Sequence, residues 1–435
     1  MADIVFCADD FTGASDTLAT LARAGKSARL YLSPPRISDH PEIAGLDAIG
    51  VATSLRALSV KDGINHMNEL VAGLSGAGGK IHHFKVCSTF DSSPRIGNIA
   101  QVADCFAKGI DAHWQAIIGG QPSLGRYCVF GNLFAAASNG TIHRIDRHPV
   151  MRTHPVTPMA EADLRQHLNA QGWPDVGLID ITLIRRGARA LTAEIQNRMA
   201  AGETHTLFDA AENHDLEIIG QALRAIAVNT KILCIGASSV AQALTASNGA
   251  NDTPPIKTAP APIPQRNGPV FAFAGSRSPL TAQQVAATRH LHKIEITPGN
   301  LMDPTGFADM TKACKDALAD GKHLLATLGD DAAHGIGGHE LAKASARFIA
   351  NVITQTRIGF LAIAGGDTSS LAVLELPIDS LSFVEDFDRG VPVIRAHGSD
   401  PQLDGLEMIL KGGQMGQTDI FDQVVNRTET GSRTR

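Results

Sequence analysis

Short apolar runs, each ending in a glycine or small polar turn and followed by a helix-forming stretch, recur along almost the whole chain. No other feature constrains the fold as tightly. In the first half the runs are 3–8, SARLYL (27–32), DAIGVAT (47–53), IHHFKV (81–86), QAIIGG (115–120), VGLIDI (176–181) and KILCIG (231–236). In the second half they are PVFAFAG (269–275), KIEIT (293–297), HLLATL (323–328), RIGFLAIAG (357–365) and LEMILKGG (406–413). Most lack polar alternation, as expected of strands covered on both faces. Leu18, Leu21 and Ala22 at helical spacing mark a helix over 15–24, closed by Gly25. Further helices are expected over 98–108, 161–171, 281–290, 307–319 and 338–355. Strands alternating with helices need crossover connections, so the expected class is α/β with largely parallel sheets flanked by helices.

The rhythm breaks once, over 248–268, where five prolines fall between Pro254 and Pro264. Such a stretch reads as a semi-rigid connector. It divides the chain into a domain at 1–247 and a second at 269–425, with 426–435 expected to fray as a polar tail. A length of 435 residues accords with two or three domains of roughly 150 residues each. Hydrophobic residues at 43% against charged residues at 19% exclude extensive disorder. A net charge of -6 argues against a nucleic-acid coat, which needs a basic face. The apolar runs are too short for a membrane span. MADIVFCADD places acids where a signal peptide carries bases. A cytoplasmic protein with no membrane or nucleic-acid partner is expected. The six cysteines form no CxxC pair and read as free structural thiols.

Chemistry-bearing residues cluster after the strands. Asp9 and Asp10 end the first run just before a helix, where open parallel sheets bind ligands. They suit hydrogen bonds to substrate hydroxyls or general-base work, although acids there also serve as ordinary helix caps. At the end of IHHFKV and after it come Lys85, Ser88, Thr89, Arg95 and Asn98, which suit a carboxylate or polyol, or simply a solvated turn. Arg126 follows Gly119-Gly120 and can fork onto a carboxylate. His143, His148 and His154 are interleaved with arginines, but their spacing fits no zinc site, so no protein-held metal centre is expected.

In the second half, Gly365-Gly366-Asp367-Thr368 lies between a strand and a helix, a pattern that offers free N–H groups to phosphate. Ser276 and Ser278 follow PVFAFAG, and Gly412-Gly413 follow LEMILK. Three such turns after three strands of one domain are the footprint of a nucleotide site if they meet at one sheet edge. Standard fingerprints are absent: Gly25-Lys26-Ser27 lacks the first Walker glycine, and 335–338 is no GxGxxG.

Several of these segments together resemble the four-carbon acid sugar kinase family, over essentially the whole chain. The segments are ADDFTGASD (8–16), KVCSTFDSSPRIGNI (85–99), HPVTPM (154–159), AGGDTSS (364–370) and RGVPVI (389–394). The resemblance implies an N-terminal domain that binds the acid sugar, a C-terminal domain that binds ATP with Mg²⁺, and an active site in the interdomain cleft. It implies phosphoryl transfer to the terminal (4-) hydroxyl of a tetronate-like acid. Asp9 and Asp10 match the family's acidic opening and Arg126 its Gly-Arg position. Lys85, Ser88, Thr89, Asn98 and His154 fall in substrate-side motifs. Ser276, Ser278, Gly365 to Thr368, Gly412 and Gly413 match nucleotide loops. Two segments depart: the final loop reads Lys411-Gly412-Gly413-Gln414-Met415-Gly416 where the family has KSGNFG, and 125–131 differs from the common form. A nicotinamide-dependent sugar-acid oxidoreductase and a non-catalytic sugar-acid binder are the competing readings. Sequence leaves the exact acid and any homo-oligomer open.

Overall fold

The structure, a computed structural model, describes residues 2–35, 40–74, 78–137, 139–154, 156–246, 266–329, 335–388 and 390–433. Most of the expected connector at 248–268 lies outside them, as does Arg389. The chain divides into two compact units, Met1–Lys257 and Thr258–Arg435.

The first unit contains β1 (Ile4–Ala8), β2 (Ala28–Tyr31), β3 (Ala48–Ala52), β4 (Ile81–Lys85), β5 (Gln115–Ile118), β6 (Arg126–Val129), β7 (Asn132–Ala136), β8 (Ile142–Arg144), β9 (Gly177–Ile179), β10 (His205–Phe208) and β11 (Ile232–Gly236). Eight of these form a parallel sheet in the order β2-β3-β1-β4-β11-β5-β10-β9. Every residue of β1, β3 and β11 is buried, which explains their unbroken apolar sequences. Register aligns the strand ends: Ala8 sits opposite Ala52 and Lys85, and Lys85 opposite Gly236, which is paired in turn with Ile118. Five neighbouring strands therefore finish at one level and deliver their following loops to one edge.

The second unit contains β12 (Val270–Ala274), β13 (His292–Ile296), β14 (Leu324–Leu328), β15 (Phe360–Ala364), β16 (Ser380–Asp388), β17 (Val391–His397) and β18 (Glu407–Lys411). Their order is β13-β14-β12-β15-β18-β17-β16. The first five are parallel; β18, β17 and β16 pair antiparallel. The α/β class with largely parallel sheets thus holds in each unit.

Several local expectations need correction. The first helix spans Phe11–Arg23 rather than starting at residue 15, because Asp10 caps it. The helix expected over 161–171 is only Leu164–Asn169, started by the Asp163 cap. The stretch 426–435, expected to fray, is largely taken up by the helix Ile420–Arg433, whose Phe421, Val424 and Val425 bury into the sheet. Strands β6, β7 and β8 form a separate antiparallel sheet that the parallel rhythm did not announce. Its first hairpin turns at Phe130 (φ 51°) and Gly131 (φ 79°). A phenylalanine is unusual at a left-handed position. The turn is held by the fully buried Asp209, whose carboxylate accepts N–H bonds from Phe130 at 2.6 Å, Gly131 at 2.9 Å and Ile181 at 3.0 Å.

Candidate functional site

In the first unit, the loops after β1 and β3 and the end of β4 build a cluster of two carboxylates and two cations. Asp9 is held by its neighbours' backbone: its N–H donates to the Lys85 carbonyl at 2.9 Å, and its carbonyl accepts from Arg56 N–H at 3.0 Å. Arg56 also forks onto the Asp9 carboxylate, Nε to Oδ2 at 3.0 Å and Nη2 to Oδ1 at 2.7 Å. The same Nη2 donates to Asp10 Oδ1 at 2.8 Å. Asp10 Oδ1 further accepts the Gly13 N–H at 3.1 Å and lies 3.6 Å from Lys85 Nζ. Asp10 therefore caps the helix, as the sequence allowed, and also joins a charged cluster.

The cluster has an inner and an outer half. The side chains of Asp9 and Lys85 are each 7% exposed, against 26% for Asp10 and 25% for Arg56. Burial pushes the Asp9 carboxyl up, against the pull of Arg56. Burial also works against charge on Asp10, but Lys85 and Arg56 outweigh it and hold Asp10 below the usual carboxylate range. Asp10 is thus the more accessible acid of the pair and the ionised one. Gly13 makes room for this arrangement, since a Cβ there would fall 1.7 Å from Lys85 Nζ.

The other substrate-side residues are placed as follows. Ser88 is half-buried in the loop after β4. Thr89 donates to Asp91 at 2.8 Å and lies 3.0 Å from Cys87 Sγ, whose thiol burial pushes up to about 11. Asn98 is buried as a helix cap, accepting from Gln101 N–H at 2.8 Å and donating to the Gln171 carbonyl at 3.1 Å. Arg126 opens β6 and its Nη1 donates to the Leu124 carbonyl. His154 Nδ1 accepts from Thr157 N–H at 3.1 Å. Among the described residues, neither Arg126 nor His154 bonds to the acid cluster. Arg56 escaped sequence reasoning. It lies in a short 3-10 turn, Leu55–Ala57, with no motif around it, and only the β1–β3 pairing brings it to the acids.

In the second unit, β12, β15 and β18 are neighbours, and Ala364 sits opposite both Ala274 and Lys411. The three expected turns therefore meet. The N–H groups of Gly275 and Ser276 both donate to the Ala364 carbonyl, at 2.9 and 3.0 Å, and Gly365 N–H donates to the Lys411 carbonyl at 2.9 Å. Ser278 Oγ donates to the Gly413 carbonyl, which also accepts from Thr281 Oγ1 at 3.1 Å. Gly413 packs so closely that a Cβ would lie 2.1 Å from Ser276 Oγ. Gly365 holds φ at +136°, a value L side chains rarely adopt, and opens the helix Gly366–Leu374, which carries Asp367 and Thr368 in its first turn without a side-chain cap. Its first N–H groups have no helical partner and suit an anion.

Thr281 and Gln284 were also missed. Gln284, fully buried, donates to the Met415, Gly416 and Gln417 carbonyls at 3.0–3.1 Å. Ser278, Thr281 and Gln284 recur every three residues on one helix, and that polar stripe was the available signal. Because they grip backbone carbonyls, the final loop keeps its anchorage despite its departure from KSGNFG.

Comparison with known proteins matches these two halves separately. Residues 4–244 match a sugar-binding N-terminal domain and residues 271–421 a nucleotide-binding C-terminal domain. A 3-oxo-isoapionate kinase of Paraburkholderia graminis is 33% identical, with 97% of this chain and 93% of that one covered. A 3-oxo-tetronate kinase of Methylobacterium radiotolerans is 30% identical, covering 96% and 97%. In fold, the chain is similar to a Salmonella typhimurium protein (TM-score 0.79, 24% identity, 98% of each chain). It is likewise similar to a Haemophilus influenzae protein (TM-score 0.76, 23% identity, 98% of this chain and all of that one). The relatives being kinases, the nicotinamide-dependent alternative is set aside. With its sugar-binding and nucleotide-binding halves both matched, the chain belongs to the four-carbon acid sugar kinase family.

Proposed function

We propose that the protein transfers the γ-phosphoryl group of ATP to the terminal (4-) hydroxyl of a four-carbon acid sugar such as 3-oxo-tetronate, threonate or erythronate. The observation that carries this reading is the pairing of two sites in one chain. An ionised, half-buried Asp10 stands in the sugar-binding half, and three mutually bonded turns stand in the nucleotide-binding half.

Phosphoryl transfer asks the protein chiefly to position groups and neutralise charge. In this reading Asp10 orients the acceptor hydroxyl and takes its proton, while Asp9 stays with Arg56 as inner support. Ser88, Thr89 and Arg126 meet the polyol and carboxylate of the acid, with Lys85 supplying positive charge behind Asp10. Asn98 and His154 shape the loops around it. Ser276, Ser278, Gly365, Gly366, Thr368, Gly412 and Gly413 hold the phosphates, largely through backbone N–H groups.

Among the described residues no group of three or more His, Cys, Asp or Glu forms an ion site. Asp367 is the one carboxylate in the three turns. A Mg²⁺ held chiefly by phosphate oxygens and water fits that sparse donor set, with Asp367 as the residue nearest to hand. Bound there, the ion would neutralise phosphate charge.

The test is ADP release on a panel containing 3-oxo-tetronate, threonate, erythronate and 3-oxo-isoapionate, with wild type and Asp10→Asn. Asp10→Asn should lower turnover by about 10²-fold or more, the usual span for a lost general base. Wild-type turnover in Asp10→Asn would remove Asp10 from the mechanism. Absence of ADP release on the whole panel would end the reading. Among the described residues no helix is long and apolar enough to cross a membrane.

A further inference from the structure

We propose that Arg56 is a positioning residue for the transfer: it locks Asp9 and Asp10 into one fixed arrangement in which Asp10, not Asp9, is presented to the acceptor. The inference rests on the kinase reading above and goes beyond it, because neither motif nor spacing points to this arginine.

Two adjacent carboxylates repel, and left alone they would turn apart or share a proton. Arg56 bridges the two and offsets their repulsion. Its planar fork takes both oxygens of Asp9, at 3.0 and 2.7 Å, and the same Nη2 reaches Asp10 at 2.8 Å. Its own N–H donates to the Asp9 carbonyl, so backbone and side chain fasten the same pair. A bidentate bond fixes orientation as well as charge. Asp9 has both oxygens committed to the fork and little access. Asp10 has only Oδ1 engaged, by Arg56, Gly13 and Lys85, which leaves Oδ2 without a hydrogen bond among the described residues. The geometry therefore divides the labour: Asp9 anchors the arginine, and the arginine aims the free oxygen of Asp10.

The charged groups facing Asp10 are Asp9 from its own loop, Arg56 from the loop after β3 and Lys85 from β4. Behind them stand Cys87, kept a neutral thiol by burial, and His83, kept a neutral imidazole. Lys85 is then the one cation left beside Asp10 among the described residues, so removal of Arg56 should register in the titration of Asp10.

The experiment uses the full chain as Arg56→Ala, Arg56→Lys and Arg56→Gln, with ATP and 3-oxo-tetronate, over the pH range in which the fold stays intact. Arg56→Ala should lower kcat by about 10²-fold or more, as loss of a positioning group does. It should also move the acid limb of kcat/KM to higher pH by about one unit or more, since Asp10 loses an opposite charge. KM for ATP should stay within about twofold, a split expected when only one ligand's alignment is lost. Arg56→Lys should hold the acid limb near that of wild type while recovering only part of the rate, because an ammonium cannot reproduce the fork. If Arg56→Ala fails to fold, Arg56→Gln and Arg56→Lys carry the same comparison. An unmoved acid limb in the Ala or Gln variant, or full rate in Arg56→Lys, would overturn the proposal while leaving the kinase reading intact. No transfer by wild type to any acid sugar would instead remove that reading, and this proposal with it.

Discussion

Replacing Gly13 by alanine should separate activity from stability. Gly13 lies in the first turn of a helix, with a backbone that alanine adopts freely, and it is buried. On propensity alone, glycine to alanine in a helix gains about 1 kcal/mol. Space decides the opposite way. The new Cβ would fall 1.7 Å from Lys85 Nζ and 2.5 Å from both Lys85 Cε and Asp10 Oδ1. None of these distances is tolerable, and the flexible lysine is the group that can yield. Lys85 would leave a contact 3.6 Å from Asp10. At an effective dielectric of about 20 the gross attraction at that distance is ~4–5 kcal/mol. Most of this is returned as the ammonium regains water, so net stability should change by only about 1 kcal/mol, or roughly 2–4 °C in Tm for a domain of this size. Turnover has no such compensation, because Asp10 loses one of its two cations and is itself crowded by the new Cβ. We expect it to fall about 10²-fold. Thermal unfolding and steady-state ADP release on one preparation read both quantities. Wild-type turnover in Gly13→Ala would refute the reasoning, since it would show that Lys85 can move without disturbing the acid. A collapse in Tm would refute it from the other side.

Three further outcomes follow from the same physical picture. Gly413→Ala puts a Cβ 2.1 Å from Ser276 Oγ, so ATP affinity by calorimetry should drop about 10-fold or more, the scale of a 1–3 kcal/mol overpacking cost; adding Ser276→Ala should restore part of it, and no restoration would disprove the clash. Lys411 is 1% exposed, its ammonium donates among the described residues only to the Gly412 carbonyl, and burial lowers it to about 8. It is charged below that pH and neutral above, so ATP affinity should weaken as pH rises through about 8, and the same profile in Lys411→Met would rule the lysine out. His83 is buried, donates from Nε2 to the Gly236 carbonyl at 3.1 Å, and is lowered to about 3. The unfolded chain takes up that proton below its ordinary value near 6.5 while the folded chain does not. Stability is therefore fully present above that value and falls as pH drops toward 3, by about 2 kcal/mol at pH 5. A His83→Gln variant whose urea midpoint loses as much between neutral pH and pH 5 as wild type would contradict this.

The sequence by itself determined the class of fold and the three turns of the nucleotide-binding half. Both are local consequences of composition along the chain. Runs such as VFAFA and FLAIA have no polar face, so they must be covered on both sides, and parallel strands between helices are the economical way to do it. Glycine at 365 and a serine cap at 278 carry their conformational meaning within a few residues. Asp9 and Asp10 were legible for the same reason, because they stand where a strand gives way to a helix.

What only the tertiary structure decided is which residues stand together across long separations. Arg56 is distant in sequence from Asp9 and has an unremarkable neighbourhood, yet parallel pairing of β1 with β3 places it against both acids. The β6–β8 hairpins were hidden because Phe130 occupies a position that usually demands asparagine or glycine, and the buried carboxylate that permits it comes from residue 209. Gln284 looks like a surface residue until the final loop closes over it. In each case the stabilising partner is far away along the chain, and a pairwise contact of that kind leaves no periodic trace. Local periodicity dictates strands, helices and turns; charge pairing and close packing, which set what Asp10 can do, exist only once the sheet has ordered its strands.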